Sequence, residues 1–199
     1  PYELIIAYIP WEQVGSGDAN APTLEDVTRI AIPEVAAKDC VLWLRATNQR
    51  LPDAYSVLAK WGFVPQTVLT WVKPHAQPAE WLHDKTEHFV MATKGSPRLN
   101  SDLKFNSAMT AAAKTGSRVP VGFYELIEAV CDTDKRLHVF PSIDREGWQS
   151  WAPWDVPPIG EEVQRERSVA KGSQEKGGKK GKKPRGTKKG KGETMGEAG

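Results

Sequence analysis

Hydrophobic and polar positions along this chain switch repeatedly between two spacings. Glu3 to Tyr8, with Leu4, Ile5, Ile6 and Ala7 at its centre, is an apolar run that reads as a strand. Gly15 to Pro22 is rich in Gly, Ser, Asp, Asn and Pro and reads as a loop. Thr23 then caps a short helix with Glu25 and Asp26 in its first turn. Cys40 to Leu44 is continuously apolar, as expected of a strand covered on both faces. Leu51, Ala54, Tyr55, Leu58 and Trp61 follow helical spacing, and Gly62 ends that helix. Gln66 to Val72 and Glu87 to Thr93 read as strands, Phe123, Leu126, Ile127 and Val130 mark another helix, and Leu137 to Phe140 is a last short strand. Strands alternating with helices predict an α/β sheet with helices on both faces. Ligands of such sheets bind at the carboxyl ends of the strands, where Tyr8, Ile9, Pro10 and Trp11 fall.

The pattern stops after Trp154. Residues 155–170 open with Asp155-Val156-Pro157-Pro158 and are polar, so they read as a linker. Residues 171–199 are Lys, Gly, Pro and Thr with almost nothing apolar, and cannot offset the entropy of ordering; they are expected to be disordered. The predicted organisation is a domain over 1–154, a linker over 155–170 and a basic tail over 171–199. The net charge of +2 conceals this split: the tail carries ten Lys and Arg against three Glu, or +7, and residues 1–170 carry 17 basic and 22 acidic side chains, or −5. Lys179, Lys180, Lys182, Lys183, Arg185, Lys188, Lys189 and Lys191 are spaced by Gly, Pro and Thr, a pattern that neutralises phosphates without reading sequence. The same residues suit a nuclear-import signal. No aromatic residue interleaves them, so base stacking is not expected there.

Other chemistry finds little support. His75, His83, His88 and His138 have no metal-ligand spacing, and no Cys pair accompanies them. No Gly-x-Ser-x-Gly elbow occurs, and Gly15-Ser16-Gly17 is not followed by the Lys of a phosphate loop. Cys40 and Cys131 sit in apolar contexts and are expected to be buried free thiols. No apolar run approaches the roughly 18 residues that span a bilayer. The opening Pro1-Tyr2-Glu3 does not read as a leader, and without an initiator Met the chain is expected to be a fragment.

Several segments in order resemble the MT-A70 family of adenine-N6 methyltransferases, from about Tyr2 to Trp154. Ile5 to Trp11 stands where the family has a strand followed by Asp-Pro-Pro-Trp. Val41-Leu42-Trp43-Leu44 with Thr47-Asn48, Trp61-Gly62-Phe63, Thr70-Trp71-Val72-Lys73, Trp81-Leu82-His83, Glu87-His88 and Lys94-Gly95 follow in family order. Pro120, Tyr124 and Ile127-Glu128 match a helix that normally starts after Ser-x-Lys-Pro, and Phe140 and Gly147-Trp148 match the closing strand and turn. The resemblance implies a Rossmann-like methyltransferase fold with a mostly parallel sheet, and S-adenosylmethionine as cofactor in active members.

The functional positions depart from the pattern. The family's Asp falls on Tyr8 and its first Pro on Ile9, while Pro10 and Trp11 are kept. In active members that carboxylate and a neighbouring backbone carbonyl accept hydrogen bonds from the adenine amine. Tyr8 offers a neutral phenol on a longer arm. Trp11 and the loop after it are expected to shape a vestigial pocket. The Lys that faces the cofactor carboxylate falls on Val119, the ribose-contacting Arg falls near Ser142, and the polar residue past the closing turn falls near Pro153 or Trp154. Loss of a catalytic acceptor costs roughly 10²- to 10⁴-fold in rate. Neither catalysis nor cofactor binding is therefore expected of these positions. Glu87 is the main acid kept at a family site, and Trp61, Trp71, Trp81, Trp148 and Trp151 are divided between core and partner surface.

The chain is therefore expected to be a non-catalytic subunit of an adenine-N6 nucleic-acid methyltransferase complex. It would pair as a heterodimer with an active MT-A70 paralogue that holds S-adenosylmethionine, add cationic surface for DNA or RNA, and reside in the nucleus. Two alternatives stand beside this: a divergent active S-adenosylmethionine-dependent enzyme using Tyr8 and the Ile9 carbonyl, and a stand-alone nucleic-acid-binding module.

Overall fold

The computed structural model describes residues 1–112 and 118–154, all within the unit Pro1–Ile159. The linker 155–170 and the tail 171–199, including Lys179, Lys180, Lys182, Lys183, Arg185, Lys188, Lys189 and Lys191, lie outside the described residues.

Strand β1 (Tyr2–Ala7) is central, with β2 (Ala36–Ala46) and β6 (Arg136–Val139) parallel on its two sides. Helices α1 (Leu24–Thr28), α2 (Ile32–Val35) and α3 (Leu51–Lys60) surround β2 in the chain. Next come β3 (Val64–Gln77), β4 (Asp84–Lys94), β5 (Ala108–Thr110), α4 (Val121–Val130) and β7 (Gln149–Trp151). The sheet order is β5-β3-β4-β2-β1-β6-β7. Among the described strands only β4 runs against its neighbours, β2 and β3; the other pairs are parallel. This is the α/β, Rossmann-like arrangement.

Strand alternation sorts the core into two layers. Ile5, Ala7, Leu42 and Leu44 face one side, packed with Val27 of α1 and Ala54, Val57 and Leu58 of α3. Leu4, Ile6, Val41 and Trp43 face the other, packed with Phe123, Tyr124 and Ile127 of α4. Both faces are thus covered, which is why Cys40 to Leu44 could be apolar without a break. Thr23 forms a capping box on α1: its Oγ1 accepts from the Asp26 amide at 3.2 Å, and the Asp26 carboxylate accepts from the Thr23 amide at 2.8 Å. At the end of α3 Gly62 takes φ +74°, and Phe63 N–H returns to the Leu58 carbonyl at 2.9 Å. Cys40 and Cys131 are buried and unbridged.

Three elements go beyond the sequence pattern: α2, β5 and β7. Each is four residues or fewer, too short to show a period. Strand β3 also outruns its expected bounds and contains Pro65 and Pro74. Its second partner, β5, pairs only with Thr70 to Val72, so both prolines lie outside the doubly paired stretch. The closing strand is tied down by Glu128 of α4, which accepts from Arg145 Nε and Nη2 at 2.9 and 3.1 Å and from the Trp148 indole at 2.7 Å.

Phe123 is fully buried, stacked on Phe89 at 3.9 Å between ring centroids and edge-on to Trp43 at 5.7 Å. Phe123→Ala is expected to cost about 3–5 kcal/mol, read from urea unfolding. A loss below about 1 kcal/mol would mean that α4 does not secure this layer.

Candidate functional site

Because β4 opposes β2, its first residues share a rim with the carboxyl ends of β1 and β2: Ala46 pairs with His88 and Arg45 with Phe89. On the α4 side of the sheet, alternation brings Arg45 after Val41 and Trp43, and Lys73 after Leu69 and Trp71. Glu87 precedes Phe89 and Met91 on the same face. Tyr8 follows Leu4 and Ile6 there. Four polar side chains, carried by or just after four neighbouring strands, therefore converge on one buried spot.

Arg45 is 6% exposed and Glu87 4%. Arg45 Nε donates to Glu87 Oε2 at 2.9 Å, and Arg45 Nη1 donates to the Ile9 carbonyl at 3.2 Å and to Glu12 Oε2 at 3.3 Å. Lys73 Nζ closes on the other Glu87 oxygen. The Tyr8 hydroxyl donates a long 3.3 Å hydrogen bond to Glu87 Oε2, and the Arg45 guanidinium lies 4.5 Å from the Tyr8 ring centroid. Two cations face two carboxylates, so the charge is balanced inside the cluster. Burial works to raise the Glu87 carboxyl, but the Arg45 charge and hydrogen bond, joined by Lys73, outweigh it and hold it down to about 2 from its ordinary 4.5. Burial drives the Tyr8 phenol far above its ordinary 10.0; Arg45 opposes the shift, and the Glu87 and Glu12 charges add to it. Tyr8 is therefore a neutral donor here, not a proton acceptor.

The turn after β1 is fixed from beneath. Trp11 is 2% exposed in the layer under α1 and α3, and its indole N–H donates to the Arg45 carbonyl at 2.7 Å. Trp11 bears on the rim from beneath, through the turn, and not as a lining side chain. It is a core residue clamping the turn to β2, because Ile9 and Trp11 project to the opposite face from Tyr8. Arg45 thus holds the turn twice, through its side chain on Ile9 and through its carbonyl on Trp11.

Residues 2–153 match the MT-A70 family model. The chain belongs to the MT-A70 family. A putative N(6)-adenosine-methyltransferase MT-A70-like protein of Medicago truncatula is 21% identical over 160 residues, covering 75% of this chain and 26% of its own length. The type II methyltransferase M.MunI of Mycoplasma sp is 21% identical over 142 residues, 69% of this chain and 61% of its own. The N(6)-adenosine-methyltransferase non-catalytic subunit METTL14 of Xenopus tropicalis is 26% identical over 151 residues, 66% of this chain and 33% of its own. The chain spans about a quarter of the length of the plant relative.

Active members of the MT-A70 family use S-adenosylmethionine, a ligand that needs a cation for its carboxylate and polar partners for its ribose. Val119 is 1% exposed and packs in the apolar layer with Phe123, and the Ser142 hydroxyl accepts from the Arg118 amide at 2.9 Å. The structure brings these two positions together, but their side chains are an isopropyl group and an engaged hydroxyl. Arg118, next to Val119, is close enough for its charge to act on Tyr8. Trp154 packs on Phe140 at 4.5 Å between ring centroids, as an aromatic where an amide side chain is needed. On the acceptor side, the Tyr8 hydroxyl, the Ile9 carbonyl and both Glu87 oxygens already have partners. The side chains at Tyr8, Val119, Ser142 and Trp154 do not supply the free carboxylate, cation and amide of the family pattern, and no chemical step follows from them.

The residues His83, Asp84, Glu87 and His88 do not act as one cluster. His83 is exposed, and Glu87 turns inward. His88 bonds Thr70 at 3.1 Å and Asn48 at 2.8 Å, and Asn48 also donates to Asp84 at 3.0 Å. Of the tryptophans, Trp61, Trp71 and Trp148 are buried, Trp151 is half-buried, and Trp81 is 87% exposed beside Leu82 at 81%. Arg45, Lys73 and Glu12 have no role that the sequence pattern assigns. The signal for Arg45 lies in the strand itself: a charge on the face of Val41 and Trp43 must find a buried counter-charge.

Glu87→Gln keeps the shape and leaves Arg45 and Lys73 facing a neutral amide, with an expected loss of about 3–5 kcal/mol in urea unfolding. Because the Glu87 pKa is depressed, its contribution is complete above pH 4.5 and fades as pH falls toward about 2. Glu87→Gln should flatten that acid limb; an unchanged limb in the variant would assign the acid sensitivity to other carboxylates.

Proposed function

We propose that this MT-A70 chain is a non-catalytic subunit of an adenine-N6 nucleic-acid methyltransferase complex. The observation that carries the proposal is the state of Tyr8, a neutral phenol turned onto Glu87 beneath the Arg45 guanidinium, where the family resemblance requires a free carboxylate. A group in that state cannot draw electron density onto an amine. The similarity to a protein named as a non-catalytic subunit supports the same reading. Its role is to support an active MT-A70 paralogue that carries S-adenosylmethionine. The Trp81–Leu82 pair, exposed between β3 and β4, has the apolar character of a docking anchor. The basic tail contributes phosphate contacts to DNA or RNA, and a nuclear location belongs to the same proposal.

The competing reading is a divergent active enzyme, favoured by the similarity to proteins named as methyltransferases. One experiment separates the two. The purified full chain is expected to release no heat with S-adenosylmethionine and to leave an adenine oligonucleotide unmethylated. From its native source it is expected to co-purify with a methylating MT-A70 protein, and the Trp81→Ser, Leu82→Ser double variant is expected to lose that partner. Methylation by the isolated chain would overturn the proposal.

The tail has its own test. Deleting residues 171–199 removes ten Lys and Arg. Oligonucleotide affinity is expected to fall, and the slope of its logarithm against log salt to become shallower by roughly 0.7–0.9 for each phosphate that the tail neutralises. An unchanged slope would assign the tail to another partner.

A further inference from the structure

We propose that Arg45 is a built-in occupant of the ligand face, with its guanidinium taking the acceptors that an amine- or amidine-bearing ligand would otherwise engage. The proposal deepens the non-catalytic reading and rests on it only in treating this rim as a former ligand site.

In a sheet of this kind ligands sit outside the carboxyl ends of the strands. The acceptors at that rim on the α4 face are the Ile9 carbonyl, at the turn after β1, and the carboxylates of Glu87 and Glu12. One guanidinium answers all three, at 3.2, 2.9 and 3.3 Å. A planar fork of N–H donors is the chemistry by which an external amidine or exocyclic amine would bind the same set.

The occupant is also firmly held. Its head lies over the Tyr8 ring at 4.5 Å, and its side chain is 8% exposed. Its stem rises from β2, between two hydrogen-bonded neighbours, and its carbonyl is bound by Trp11. Displacing it would leave Glu87 with only Lys73 and the Tyr8 hydroxyl, and would take the guanidinium away from the Ile9 carbonyl and Glu12. A competing ligand would have to offset both costs. Replacing Tyr8 with the family's Asp would not open the site. The new carboxylate would lie beside the Arg45 guanidinium and be neutralised by it.

The test uses the full chain, the Arg45→Ala variant and ethylguanidinium chloride as a stand-in for the missing side chain, with sodium chloride at matched ionic strength as control. Arg45→Ala is expected to melt below wild type. At ten times its dissociation constant the probe should raise the variant's melting temperature by about 3 °C and leave wild type unmoved. An equal response of the two proteins, or no response of the variant, overturns the proposal. Should Arg45→Ala not fold, the wild-type protein decides: Arg45 Nε–H exchange measured by NMR is expected to be slowed at least about 100-fold relative to free arginine. Exchange at the free rate would overturn the proposal. Neither readout depends on methyl transfer. Activity of the isolated chain would remove the non-catalytic reading without touching these results, and a negative result here would leave that reading standing.

Discussion

A guanidinium inside a β-sheet is costly to desolvate, and it stays only where its charge and its donors are met. Arg45 meets that condition through Glu87, and the rim of the sheet is organised around the pair. Glu87 in turn accepts Lys73 and Tyr8, while Arg45 reaches Ile9 and Glu12. Neither charge is tolerable alone. Strands β1, β2, β3 and β4 are thereby fastened at one end by a contact that no apolar packing supplies.

The same constraint leaves the acceptors of the rim engaged within the chain. A catalytic acceptor needs lone pairs directed outward to an incoming group. Here the acceptors take partners from within the chain. The Tyr8 phenol is held neutral by burial and uses its proton on Glu87, and the Ile9 carbonyl is occupied by Arg45. The polar network has the completeness expected of a structural element. The other layer shows the same economy: the Trp11 indole, buried under α1 and α3, uses its one donor on the backbone of the residue that carries the guanidinium.

Much of the fold is legible in the chain because both layers follow the strand and helix periods. The apolar continuity of Cys40 to Leu44, the Thr23 cap and the Gly62 stop each state a local rule that the structure obeys. Strands β5 and β7 are not legible, since three residues carry no period and their pairing is decided by neighbours distant in sequence. The candidate site is half legible. Tyr8, Val119 and Ser142 stand out against the MT-A70 pattern, but a comparison by position reports what is absent and not what has filled the place. The filling comes from Arg45 and Lys73, which meet Glu87 only once antiparallel β4 has turned its first residues to the carboxyl rim. The Trp11 side chain escapes the pattern for a related reason: position after a strand does not say which face a turn residue takes.

The double hold of Arg45 on the turn has an evolutionary consequence. A lineage placing an outward acceptor at position 8 would also have to lose the arginine, and with it one of the partners of Glu87 and the support of the Ile9 carbonyl. Losing the Glu87 carboxylate first leaves the arginine with Glu12 and the Ile9 carbonyl, and takes from Lys73 its partner in the cluster. Either single loss leaves the cluster with an unbalanced interior charge. Selection for stability alone therefore favours keeping the two cations and two carboxylates of the cluster together.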